Sequence, residues 1–219
     1  MRSLQNWVRS VQDLVDNKEK NMNIIIRNYE ESIRLKQEFF SLESNIKLLN
    51  ELIEILAKKH FNGFKAITCG NGGSSCDAMH YAEELTGRFR KDRAALGAIA
   101  LTDASYITCV ANDFGFEHVF SRGVEALGKQ NDYLIAISTS GNSANVIKAV
   151  ECAKQMNILT VGLLGKDGGK LKDMVDYAFV VPGSTSDRIQ EIHILLIHTI
   201  IEGIERILFK ENYEGCPDE

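Results

Sequence analysis

Residues 64–89, FKAITCGNGGSSCDAMHYAEELTGRF, hold a complete structural unit. The apolar run Lys65–Cys69 passes into a turn of glycines, and the turn opens into a segment with helical spacing. A short apolar run without alternation is what a strand buried on both faces looks like. The same succession recurs at Ala98–Leu101, Tyr133–Ser138, Leu159–Leu163 and Tyr177–Val181, and a last helix is expected from Thr185 to Phe209. Strand then helix, repeated along the chain, predicts an α/β fold with a doubly wound five-stranded parallel sheet and right-handed crossovers. Ligands of such sheets bind beyond the carboxyl ends of the strands, so chemistry is sought in the loops that follow them.

Upstream of this region the periodicity is helical. Ile25, Tyr29, Ile33 and Phe40 form one series, and Ile46, Leu49, Ile53 and Leu56 a second. Two serines and an asparagine between Ser41 and Asn45 are good capping residues and predict a break between two helices there. The chain has 219 residues, 44% hydrophobic and 25% charged, which supplies a core and argues against disorder. Its net charge of -5 includes no basic block, so no nucleic-acid partner is expected. Cys69, Cys76, Cys109, Cys152 and Cys216 are scattered, without the spacing of a disulfide framework or a zinc knuckle. The first residues, MRSLQNWVRSVQDLVDNKEK, are broken by charges, unlike a signal peptide. No apolar run reaches the roughly 20 residues of a membrane span. A cytoplasmic protein with no membrane partner is expected.

Two loops invite an anion. Cys69–Ser75 lets the backbone approach a ligand closely and ends at a helix N-terminus with free N–H groups. It is neither a Walker A loop nor a dinucleotide fingerprint, and a tight turn alone would also read this way. Ser138-Thr139-Ser140-Gly141-Asn142-Ser143 places four hydroxyls beside a second helix start, more than a helix cap requires, and can hold phosphate without Lys or Arg. His80 and Glu84, four residues apart, share a helix face. Such a pair suits metal binding or acid–base work, and is also what a solvated face carries. In the last helix His193 and His198 sit in an apolar run, where a histidine is as readily a core residue as a ligand.

The segments CGNGGSSCDAMHYAEELTGRF (69–89), CVANDFGFEHVFSR (109–122), AISTSGNSANVIKA (136–149), VGLLGKDGG (161–169) and DRIQEIHILLIH (187–198) resemble the phosphoheptose isomerases, in the same order and spacing. The likeness runs from about residue 22 to 209. It implies an SIS-type, flavodoxin-like sheet with N-terminal helices: residues 1–21 as an extension outside the likeness and residues 22–219 as a single SIS domain. It further implies isomerisation of sedoheptulose 7-phosphate to D-glycero-D-manno-heptose 7-phosphate, a phosphorylated seven-carbon sugar substrate, and the first step of heptose supply to bacterial surface polysaccharide. One zinc per chain is implied at His80, Glu84, Gln190 and His198, with Glu84 and His198 also serving as the acid–base pair. The implied substrate contacts are Asn71, Gly72, Gly73, Ser74, Glu84, Asn112, Asp113, Ser138, Thr139, Ser140, Ser143 and Gln190.

Glu84 and His198 separate this reading from a non-catalytic SIS-type sugar-phosphate-binding or replication-associated protein. One difficulty is geometric. Gln190 and His198 lie about 12 Å apart along a helix axis, so either their side chains lean together or the site draws on more than one chain. The second option fits the homotetramers that the resemblance implies. It also fits a broad apolar stripe on the N-terminal helices: Phe39, Phe40, Leu42, Leu48, Leu49, Leu52, Ile55 and Leu56.

Overall fold

The computed structural model describes residues 18–214. Helices α1 (Lys18–Phe40) and α2 (Glu43–Phe61) come first. Two of the three expected cappers at the break serve the end of α1: Asn45 Nδ2 donates to the Phe39 carbonyl at 2.9 Å, and Ser41 Oγ to that of Glu38 at 3.2 Å. Of the expected extension, residues 1–17 lie outside the described residues, and the boundary after residue 21 falls inside α1.

Five parallel strands follow: β1 (Ala66–Gly70), β2 (Ala98–Ala100), β3 (Tyr133–Ser138), β4 (Leu159–Gly165) and β5 (Tyr177–Val181). Their order is β2-β1-β3-β4-β5, the flavodoxin-like arrangement. Between them run α3 (Gly73–Thr86), α4 (Ala104–Phe114), α5 (Ser121–Leu127) and α6 (Ala144–Gln155), and α7 (Ser186–Leu208) closes the fold.

The sheet divides the core in two. On β3, Tyr133, Ile135 and Ile137 join the apolar residues of α2, α3 and α7, whereas Leu134 and Ala136 join those of α4, α5 and α6. Successive strand residues point to opposite faces, so a continuous apolar run supplies both layers. The first layer encloses a polar chain: His60 Nε2 lies 2.7 Å from the Tyr133 hydroxyl, which is 3.0 Å from that of Tyr81.

The apolar stripe expected on the N-terminal helices is largely taken up within the chain. Phe39, Leu49, Leu52 and Leu56 are buried in this core. Leu42 of that stripe stays on solvent, and a longer exposed face lies earlier on α1, at Ile24, Ile25, Ile26, Tyr29 and Ile33.

Candidate active site

The strand order reverses between β1 and β3, and the two loops singled out by the sequence leave the carboxyl ends of those two strands. Pairing of Gly70 with Ile137 sets them side by side. They are joined by a reciprocal amide pair, Asn71 Nδ2 to Asn145 Oδ1 at 2.9 Å and Asn145 Nδ2 to Asn71 Oδ1 at 2.8 Å. Asn145 was not singled out by the sequence reading. Its place in the first turn of α6, beside the hydroxyl loop, is the signal that bore on it.

The glycine loop needs its glycines. Gly72, at φ +56°, has a backbone conformation that side chains rarely adopt. A Cβ on Gly73 would stand 2.5 Å from Gln190 Nε2, so the side chain of Gln190 lies flat against this turn. The same nitrogen is 3.4 Å from Ser74 Oγ.

In the hydroxyl loop Ser138 Oγ is 3.1 Å from Ser143 Oγ and 3.5 Å from Ser140 Oγ, and Thr139 Oγ1 is 3.0 Å from Ser186 Oγ at the start of α7. Ser143 stands at the N-cap of α6, yet its side chain makes no capping bond. Its hydroxyl is therefore turned to the other serines, which separates this loop from an ordinary cap. The amino end of a 12-residue helix, favourable to anions, lies directly behind.

Along α3 and α7 a second cluster forms. His80 Nε2 lies 2.9 Å from His198 Nε2 and 3.4 Å from Glu84 Oε1, and donor atoms of all three residues fall within 4.8 Å of one another. His80 Nδ1 is 3.3 Å from Glu83 Oε1. Burial, then the like charge of Glu83, raises the Glu84 carboxyl above its ordinary range. Burial, then His80 and Arg90, lowers the His198 imidazole below its ordinary range. Asp77, one turn before His80, has its carboxyl pushed up to about 6 by burial, and its Oδ2 has no hydrogen-bond partner among the described residues. The sequence reading gave Asp77 no role.

The donor set fits a divalent metal. A tetrahedral zinc with ligands at about 2.0–2.1 Å sets its donors about 3.3 Å apart. Two imidazole nitrogens and a carboxylate leave the open position of a catalytic site. All three come from one chain. Gln190, on the same helix as His198, sits about two turns away from it and against the glycine loop. His193 is a core residue, fully buried with Nε2 3.0 Å from the Leu164 carbonyl.

Asn112 and Asp113 end differently. They lie exposed on the last turn of α4, with Asn112 Nδ2 bonded to Asp113 Oδ1 at 2.8 Å. That helix packs on the face of the sheet opposite to α3 and α7, so the fold of one chain does not bring the pair to the His–Glu–His cluster.

A flavodoxin-like sheet with a hydroxyl loop at its switch point defines the class, and the family model described as the SIS domain matches residues 28–165. A phosphoheptose isomerase of Fusobacterium nucleatum is 58% identical over 86% of this chain and 97% of its own length. Solved structures of phosphoheptose isomerases from Neisseria gonorrhoeae (TM-score 0.78, 42% identity, 84% of this chain and 98% of that one) and Francisella tularensis (TM-score 0.81, 34% identity, 85% and 98%) share its fold. The chain belongs to the phosphoheptose isomerase family.

Proposed function

We propose that this protein converts sedoheptulose 7-phosphate to D-glycero-D-manno-heptose 7-phosphate, with zinc held by His80, Glu84 and His198. The observation that carries this reading is the convergence of those three side chains from two helices, one of which, α7, starts against the hydroxyl loop through Ser186 and Thr139. The phosphate sits on Ser138, Thr139, Ser140 and Ser143, and Asn71, Gly72, Gly73, Ser74 and Gln190 hold the sugar. Asn112 and Asp113 keep the substrate role that the family resemblance gives them, served from a neighbouring chain.

Bound zinc would supply Lewis-acid polarisation of the sugar carbonyl. The chain's own residues move the protons. Glu84 takes a proton from C1 of the ketose, the C1–C2 enediol forms, and the proton returns to C2. His198, neutral at the start, carries the hydroxyl proton from O1 to O2, so that protons balance and the carbonyl ends at C1. Glu84 is better as a base when its hold on the metal is loose. Gln190, about two turns before His198 on α7, is the fourth ligand that the family resemblance gives, and it joins the set if the two side chains lean together. Free cysteines at Cys69, Cys76, Cys109 and Cys152 fit a reducing cytoplasm, and no helix among the described residues is long and apolar enough to cross a membrane.

The test pairs elemental analysis with a panel of C5 to C7 ketose phosphates. Zinc at about one per chain, reversible loss of turnover on chelation and preference for the seven-carbon substrate are expected. Full turnover in protein shown to be metal-free would refute the metal, and equal turnover of a pentose phosphate would refute the substrate.

A further inference from the structure

Arg93 lies in the segment between α3 and β2, and its side chain is wholly buried against Glu205 of α7, at 0% and 1% exposure. Its Nε donates to Glu205 Oε1 at 2.7 Å. One terminal nitrogen donates to the Glu84 carbonyl at 2.7 Å; the other reaches the carbonyls of Leu85 at 2.8 Å and Gly87 at 3.1 Å. These carbonyls belong to the end of α3, where a helix leaves them without partners and where its dipole favours a cation. The other oxygen of Glu205 accepts the Tyr213 hydroxyl at 2.7 Å. Both ends of the pair are thus fixed.

The pair therefore joins the two helices that carry the cluster. Glu84 is itself one of the residues whose carbonyl is gripped, and Glu205 stands about two turns beyond His198 on the same helix. A dry ion pair is a poor device for stability alone, because apolar residues of similar volume often serve as well. What a planar guanidinium adds is direction: several bonds at set angles, which a lysine cannot reproduce. A ligand set is useful only when held to within about 0.5 Å.

We propose that Arg93 and Glu205 are positioning residues, a buried clamp that sets the spacing of His80 and Glu84 against His198. The inference rests on the metal reading above and extends it to residues outside the triad.

The test uses the full chain and three variants. Arg93→Lys keeps the charge and loses the fork, Glu205→Gln removes the partner's charge, and the double variant Arg93→Met with Glu205→Met leaves no lone buried charge. Should the first two fail to fold, the double variant carries the test. Zinc affinity is measured by competition with a chromophoric chelator, and hydrogen exchange of residues 80–87 is followed in metal-free protein. Affinity about 10–100-fold weaker is expected in each variant, with faster exchange in residues 80–87 and unchanged exchange in β3. Val150→Ala, a cavity on the far face of the sheet, serves as the destabilised control and should keep its zinc affinity. Wild-type affinity in the clamp variants, whatever their exchange, overturns the proposal, as does an equal loss in the control. If the wild-type chain takes up no zinc, the metal reading fails, and exchange at residues 80–87 alone then decides whether the clamp exists.

Discussion

Glu84 owes its elevated carboxyl to burial and to Glu83, and burial, then His80 and Arg90, holds the His198 imidazole below its ordinary range. A base that is not too weak beside an imidazole free to accept a proton is the pairing an enediol mechanism needs. Glu84→Gln and His198→Asn keep the shape and remove the proton. Each should lower turnover by about 10²–10⁴-fold, with the melting temperature held near that of the wild type; turnover within a few-fold of wild type in either would reassign the role. Two other histidines govern stability. Burial lowers His60 and His193 from 6.5 to about 4. Between those values the unfolded chain binds protons that the folded chain refuses, so their contribution is complete above pH 6.5 and is lost as pH falls towards 4, with a slope up to about 1.4 kcal/mol per pH unit for each. Urea unfolding at pH 7.5 and pH 5 should show the decline, and His193→Gln should make it shallower. An unchanged slope in that variant would exclude His193 as a source.

At the scale of elements, the hydroxyl loop is shaped by a neighbour that the sequence places far away. Gly141 has φ +63°, and a Cβ there would lie 1.9 Å from the Gly168 carbonyl. The Gly168–Gly169 turn is pinned to the same loop by Leu171 N to Gly141 O at 3.0 Å and Lys170 N to Asn142 Oδ1 at 3.1 Å. Gly141→Ala should therefore destabilise the chain by more than about 1 kcal/mol and weaken a sugar phosphate in titration, whereas Gly63→Ala, equally strained at φ +78° but in open space, should cost stability without touching binding. Equal phosphate affinity in Gly141→Ala would move the anion elsewhere. The same comparison explains what the sequence carried and what it did not. Strand runs such as Tyr133–Ser138 were readable to the residue because burial on both faces demands an unbroken apolar string. β1 came out one residue later than expected, at Ala66–Gly70, since a glycine reads as turn although its backbone still pairs. The His80–Glu84 pair was visible from helical spacing, but its meeting with His198 depends on how two helices pack, which no local pattern encodes. Asn145 and Arg93 act through distant partners, Asn71 and Glu205, and were missed for the same reason.

On the scale of the whole molecule, two features stand without a partner among the described residues of one chain. Ile25 and Tyr29 on α1 are 61% and 63% exposed, and Ile24, Ile26 and Ile33 continue the patch on a helix whose other face already packs against α2 and α7. An apolar face of this length on solvent marks a protein contact, and closed symmetry makes a homotetramer of dihedral symmetry the assembly to expect for four copies. Asn112 and Asp113 are the second feature, displayed on the face of the sheet that the His–Glu–His cluster does not share. Both are resolved if each site takes its three metal-binding side chains from one chain and Asn112 and Asp113 from a neighbour. Light scattering should give four chains per particle, and Ile25→Glu with Tyr29→Glu should divide it. Mixing inactive variants then locates the residues. Chains carrying Glu84→Gln and chains carrying His198→Asn should recover no activity together, because a site that lacks one residue keeps that loss in every assembly. Chains carrying Glu84→Gln and chains carrying Asp113→Ala should recover part of it, since an intact triad on one chain meets an intact Asp113 on the next. Recovery in the first mixture would contradict a triad built within one chain, and silence in the second would confine the whole site to a single chain.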